Sequence, residues 1–191
     1  MTEVESPQPP SLVKFVGVSI LTSVVVVVFA RLAYGLVLPS MQASLGLSFT
    51  QAALLGTITA LGYLSLVLPA GLFAARFGAS RAILLGTSFA VVGFSGLALA
   101  STYPALILLM LMLGAATAFA YTPMISLLGS WFPERRGTVI GLANSGVGSG
   151  MFLTGAFVPL LTDAGQGQEE GWRMVWALFA AVALVCTLLV F

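Results

Sequence analysis

LVKFVGVSILTSVVVVVFARLAYGLVL, residues 12–38, places two charges, Lys14 and Arg31, among 27 residues. A helix needs roughly 20 apolar residues to cross a hydrocarbon core of about 30 Å. In lipid only helices and closed barrels can satisfy their own backbone groups, and a barrel strand needs only about 10 residues. The stretch therefore reads as a membrane-spanning helix. Five further apolar stretches follow it, and the few charges fall almost entirely between them. Hydrophobic residues make up 59% of the chain and charged residues 7%, against about 25% charged in a soluble domain. Mean hydropathy is +1.10. The fold class is all-α integral membrane, a bundle of six transmembrane helices.

The first span covers Leu12–Leu38 and is expected to end at Pro39. The second covers Phe49–Phe73, opened by Ser48 with Gln51 three residues on, the capping-box spacing that satisfies free amides at a helix start. The third covers Arg81–Ala100, the fourth runs from Pro104 to Trp131, the fifth covers Arg136–Leu161, and the sixth runs from Trp172 to Phe191. Residues 1–11 are Pro- and Glu-containing and read as a disordered tail. They do not form a cleaved signal, because their start is acidic and the apolar run that follows is too long.

Orientation follows from the cations. With the N-terminus inside, the inner connections hold Lys14, Arg76, Arg81, Arg135 and Arg136, whereas the outer ones hold Arg173 with Asp163, Glu169 and Glu170. That bias places both ends of the segment in the cytoplasm and the chain, as a multi-pass protein, in the cell's inner membrane. A net charge of +1 without a basic patch gives no reason to expect nucleic acid as a partner.

The inner connection after the second span reads Gly71-Leu72-Phe73-Ala74-Ala75-Arg76-Phe77-Gly78-Ala79-Ser80-Arg81. It resembles the G-x-x-x-D-R-x-G-x-x-[RK] signature of the major facilitator superfamily. Glycines there permit a tight reversal, and the arginines hold it at an anionic inner surface. Ala75 departs from the pattern, since the family usually has Asp there to help latch its two halves. The connection Trp131-Phe132-Pro133-Glu134-Arg135-Arg136-Gly137 resembles the family's W-F-x-x-R-R-G turn, and Gly171-Trp172-Arg173 resembles the start of its sixth span. The run from Arg31 to Met41 resembles the YbfB/YjiJ-type subgroup, while the Trp131–Gly137 turn also resembles monocarboxylate and oxalate/formate carriers.

The resemblance implies half of a transporter: an N-terminal six-helix bundle over residues 12–191, built as two three-helix inverted repeats, rocking against an absent C-terminal bundle around a midplane site. The alternative is a half-transporter that pairs with a second copy. The implied function is secondary transport of a small organic solute by alternating access. A drug or metabolite exporter of the same family and a channel or scaffold subunit are the alternatives. The bilayer, the solute and the missing half are the expected partners.

Arg31 is the one charge well inside a predicted span. At the bilayer centre a charge costs about 2.5–3.5 kcal/mol on insertion scales, so such residues face a watery path or a partner. An α-helix would put Ser23 and Tyr34 on the face of Arg31. The resemblance implies that the first and fourth spans line the cavity, so Arg31 offers a site for an anionic group and Tyr34 a hydroxyl. The competing reading has Arg31 snorkel to the outer interface as an anchor. Tyr63, Tyr121 with Thr122, and Asn144 are further candidates for substrate contact, and Met110, Met112, Met124 and Met151 read as packing. Gly137-x-x-x-Gly141 and Gly146-x-x-x-Gly150 are spaced for close helix approach. Gly71, Arg76, Gly78, Arg81, Arg135, Arg136 and Gly137 are the candidate conformational residues of the connections.

The chain has no His, and its six acidic residues all lie in the tail or the connections, so no proton carrier is evident inside a span. The Gly-Pro pair of the drug-exporter signature is missing from the fifth span, which counts against drug/proton exchange. Cys186 is the lone thiol and reads as helix filler. Neither a metal set, a cofactor pattern nor a catalytic cluster is present, so an enzyme is not expected.

Overall fold

The computed structural model of the protein describes residues 12–164 and 171–191. The expected tail, residues 1–11, lies outside the described residues, as do Glu169 and Glu170 of the connection before the last helix. Six helices are long and apolar enough to cross a membrane, and the described residues contain no strand. This is the expected six-helix membrane bundle.

The first span is not one regular helix. It is built from α1 (Leu12–Ser23), a π-helical segment (Val24–Leu32) and α2 (Tyr34–Leu45). Five consecutive valines open the π segment, and β-branched side chains crowd the preceding turn of an α-helix. The wider i→i+5 register is seen where the Ala33 amide donates to the Val28 carbonyl at 2.7 Å. The helix also does not stop at Pro39, which lies inside α2. A proline ring collides with the carbonyl four residues back. Membrane helices tolerate an interior proline where neighbouring groups take up the freed backbone, and Pro69, Pro123 and Pro159 likewise lie inside their helices. The true stop is Gly46, left-handed at φ 62°, whose amide returns to Gln42.

The next span is α3 (Phe49–Phe77), and its start is capped as the sequence requires. Gln51 N–H donates to Ser48 Oγ at 3.2 Å and Ser48 N–H donates to Gln51 Oε1 at 2.9 Å. It runs four residues beyond the expected Phe73, because Ala74 and Ala75 are strong helix formers and Arg76 favours the negative end of the helix dipole. Gly78 ends it at φ 97° and ψ 145°, a conformation costly for any residue with a Cβ. Gly78→Ala is expected to destabilise the bundle by about 1–3 kcal/mol. Gly71→Ala, helical and with open space, should not. Thermal melts of the two variants in detergent compare them directly.

The remaining spans are α4 (Ala79–Leu99), α5 (Tyr103–Trp131), α6 (Arg136–Ala164) and α7 (Gly171–Val190), with a 3-10 turn at Pro133–Arg135. The hub is α5, buried on all sides from Leu113 to Ala118 and packed along both α3 and α4. Small residues make that possible, since helix association in lipid depends on close backbone approach. A Cβ on Gly62 of α3 would sit 2.5 Å from the Leu111 carbonyl oxygen, and one on Gly114 of α5 would overlap the Thr59 carbonyl oxygen. On α4, Gly86 lies against Ala116 and Ala120, and Gly93 against Leu113.

Of the two glycine pairs on α6, one does what its spacing suggests. Gly146 lies against Ile20, and Gly150 against Val24 and Val28 of the first span. Gly137 and Gly141 face no neighbour within 4 Å, so that pair is not a helix contact in this bundle. The burial pattern Val139, Ala143, Gly146, Gly150, Thr154, Val158 traces one face, and the other face is open. Aromatic packing closes the core between Phe29, Phe94, Trp176 and Phe179, with Phe29 and Phe179 stacked at 4.0 Å. Phe15 stacks on Trp131 at 4.7 Å and ties the start of the first span to the basic connection after α5.

Candidate functional site

Four of the candidate substrate contacts form two pairs on the open side of the bundle. Arg31, near the end of the π segment, is exposed, and its guanidinium carbon lies 4.7 Å above the centre of the half-buried Tyr63 ring. Tyr121 donates its hydroxyl to Asn144 Oδ1 at 2.7 Å, linking α5 to the exposed face of α6. Four spans thus contribute one group each to a polar wall made of two contacts, cation on phenol and phenol to amide.

The depth and aim of Tyr63 follow from α5 beneath it. A Cβ on Gly114 would come 2.7 Å from the Tyr63 amide nitrogen, so the glycine lets α3 lie directly on α5. A guanidinium over an aromatic face gains roughly 0.5–2 kcal/mol, more as water is removed. Within the described residues no carboxylate pairs with Arg31.

Tyr34 does not join this wall. Its side chain is buried, and its hydroxyl donates to the Ala52 carbonyl at 2.8 Å, so it clamps the first span to α3. Ser23 is fully buried as well. The expectation that Ser23, Arg31 and Tyr34 share one face assumed 3.6 residues per turn. The π segment between Ser23 and Tyr34 changes that period, and only Arg31 is left facing outward. Thr122, half-buried beside Tyr121, has no assigned contact.

An apolar groove of about 320 Å³ runs between the first span, α6 and α7 past Ile20, Val24, Leu153, Phe157 and Leu178. The Ser149 and Thr154 hydroxyls on its wall are spent on their own helix backbone. Without convergent polar groups it lacks the means to orient a polar solute.

At the basic end, Gly71, Arg76, Gly78 and Arg81 are exposed around the α3–α4 turn, with the Arg76 guanidinium 5.4 Å from the Phe77 ring centre. Ala75 supplies no carboxylate there, and among the described residues Arg76, Arg81, Arg135 and Arg136 form no ion pair. Arg136 lies across Gly129, where an added Cβ would be 2.9 Å from its Nε. Arg135 and Gly137 are exposed beside it.

Three sets of contacts had no signal in the sequence. Arg173 donates to the Ala98 and Ala100 carbonyls at 2.9 and 3.0 Å and to Ser101 Oγ, closing the end of α4. Thr22 Oγ1 lies 3.5 Å from Cys186 Sγ, giving the lone thiol a polar neighbour in the core. Thr117 of α5 donates across the bundle to Val26 of the π segment.

A family model described as Major Facilitator Superfamily matches residues 20–191. The chain is 25% identical over 162 residues to a hexuronate transporter of Bacillus subtilis (strain 168), covering 84% of this chain and 37% of that protein. It is 27% identical over 93 residues to an oxalate:formate antiporter of Oxalobacter formigenes, covering 49% of this chain and 22% of the relative. It is 32% identical over 115 residues to monocarboxylate transporter 12 of Xenopus laevis, covering 58% of this chain and 24% of the relative. The chain therefore spans well under half the length of these relatives.

Proposed function

We propose that this chain, which belongs to the Major Facilitator Superfamily, forms one six-helix wall of a secondary carrier for a small organic carboxylate. The observation that carries the reading is the exposed guanidinium of Arg31 lying over Tyr63 on the open wall, with no carboxylate paired to it among the described residues. A guanidinium offers a planar, two-pronged set of donors, and a carboxylate matches that fork bidentately. Tyr121 and Asn144 then meet the rest of the solute. The names of the relatives support this chemistry, since hexuronate, oxalate, formate and monocarboxylate are all carboxylates.

The mechanism is alternating access. The bundle rocks as one body against a second bundle, with the solute held between them near the midplane. The partner bundle lies over the open faces of α3 and α6, and the basic turns at Arg76 and Arg135 stay on the cytoplasmic side of the inner membrane. An arginine paired with a monovalent carboxylate is nearly neutral, which lowers the cost of carrying the charge through a low-dielectric passage.

Uptake by cells expressing the complete carrier tests this with solutes that differ only in the acid group. Radiolabelled glucuronate, oxalate, formate and lactate form the panel. At least one should enter saturably and be competed by other carboxylates, while glucose should compete at least tenfold less well than glucuronate, a difference of roughly 1.4 kcal/mol. Saturable entry of neutral or cationic solutes alone would sink the reading.

A further inference from the structure

We infer that Thr117 is a positioning residue for Arg31, acting through the π segment that carries the arginine. Thr117 is 1% exposed and flanked along α5 by Ala115, Ala116, Ala118 and Ala120, with no other polar side chain in that run. A buried hydroxyl needs a partner. This one shares its proton between the Leu113 carbonyl of its own turn at 3.2 Å and the Val26 carbonyl of the first span at 2.5 Å.

The identity of the second acceptor is what matters. In the i→i+5 register of the π segment, seen from Ala33 to Val28, the carbonyl of Val26 faces the amide of Arg31. A carbonyl has two lone pairs and can accept both donors. In an ordinary α register the same carbonyl would serve Ala30, and Arg31 would turn by about one residue, roughly 100° around the axis. The Thr117 hydroxyl therefore secures the turn that fixes which way Arg31 faces. From the opposite side Gly150 of α6 admits Val24 and Val28, whose methyl carbons lie 3.0 and 3.1 Å from where its Cβ would be. The π segment is thus held between a hydroxyl on α5 and a glycine on α6, and its end delivers the guanidinium onto Tyr63.

The inference rests on the proposed role of Arg31 for its transport readout, and on geometry alone for a second one. In the complete carrier, Thr117→Val keeps the shape and removes the donor. It is expected to raise KM for the transported carboxylate about tenfold, with the maximal rate per molecule at the membrane held within about twofold. Thr117→Ser, which keeps the donor, should restore KM to within about twofold of the parent. Independently, Arg31→Cys is labelled with a membrane-impermeant methanethiosulfonate in the Thr117 and Thr117→Val backgrounds. The labelling rate at position 31 should change at least fivefold, while that of Ser145→Cys, exposed on α6, stays constant. If Thr117→Val does not reach the membrane, Thr117→Ala carries the same comparisons. An unchanged rate at position 31, or an equal change at both positions, would overturn the inference. A shifted rate at position 31 with an unmoved KM would uphold the positioning and reject Arg31 as a carboxylate contact.

Discussion

Arg31→Gln abolishes carboxylate uptake while leaving the amount of protein at the membrane unchanged or raised. The two halves of that result come from different terms. Removing one member of a desolvated charge pair typically costs 2–5 kcal/mol, which is about thirtyfold to several thousandfold in transport efficiency. Insertion moves the other way, because glutamine relieves the cost of a cation within the bilayer, about 2.5–3.5 kcal/mol at its centre. Loss of activity therefore cannot be blamed on poor assembly. Arg31→Lys separates charge from shape. An ammonium keeps the positive potential but lacks the planar fork and stacks less well on Tyr63. Its uptake should fall between the parent and Arg31→Gln, with KM rising more than the maximal rate falls. Surface-normalised uptake of the transported carboxylate measures all three. Normal transport by Arg31→Gln would leave Arg31 as an interfacial anchor and nothing more.

The number of spans was legible because it depends on length and composition alone, and the Ser48–Gln51 cap because it closes within three residues. The path of the first span was not. Pro39 lies inside α2 because a membrane helix can absorb an interior proline, as it does at Pro69, Pro123 and Pro159. The five-valine run was in plain view, but its π register depends on what packs around it. The partners are Gly150 from α6 and Thr117 from α5, more than ninety residues away in the chain. Once that register differs from α, every facing argument across it fails, which is why Tyr34 was grouped with Arg31 and lies elsewhere. Tyr63, Tyr121 and Asn144 stood out as polar groups in apolar spans. Their pairing, Tyr63 with Arg31 and Tyr121 with Asn144, is a product of helix packing that no local pattern encodes.

That packing has its most sensitive point at Gly114. Its missing Cβ is what lets the backbones of α3 and α5 touch, at the Thr59 carbonyl and the Tyr63 amide. A side chain here would meet backbone atoms rather than a flexible tip, so no rotamer change relieves the overlap. Overpacking a close core typically costs 1–3 kcal/mol and more when backbone must shift. Gly62 makes the reciprocal approach to the Leu111 carbonyl, so the two helices have no slack on either side. Gly114→Leu is expected to destroy the bundle: a fluorescent fusion extracted in detergent should lose its monodisperse elution peak. Gly114→Ala should retain a folded fraction with a melting temperature lowered by several degrees. In that fraction the displaced α3 carries Tyr63 away from Arg31, so carboxylate affinity should drop before maximal rate does. Gly17→Ala, exposed and with nothing within 4 Å of the added carbon, controls for alanine in a membrane helix and should elute and melt like the parent. A Gly114→Leu protein that elutes and melts like the parent would mean that α3 and α5 do not meet as described, and the polar wall would go with them.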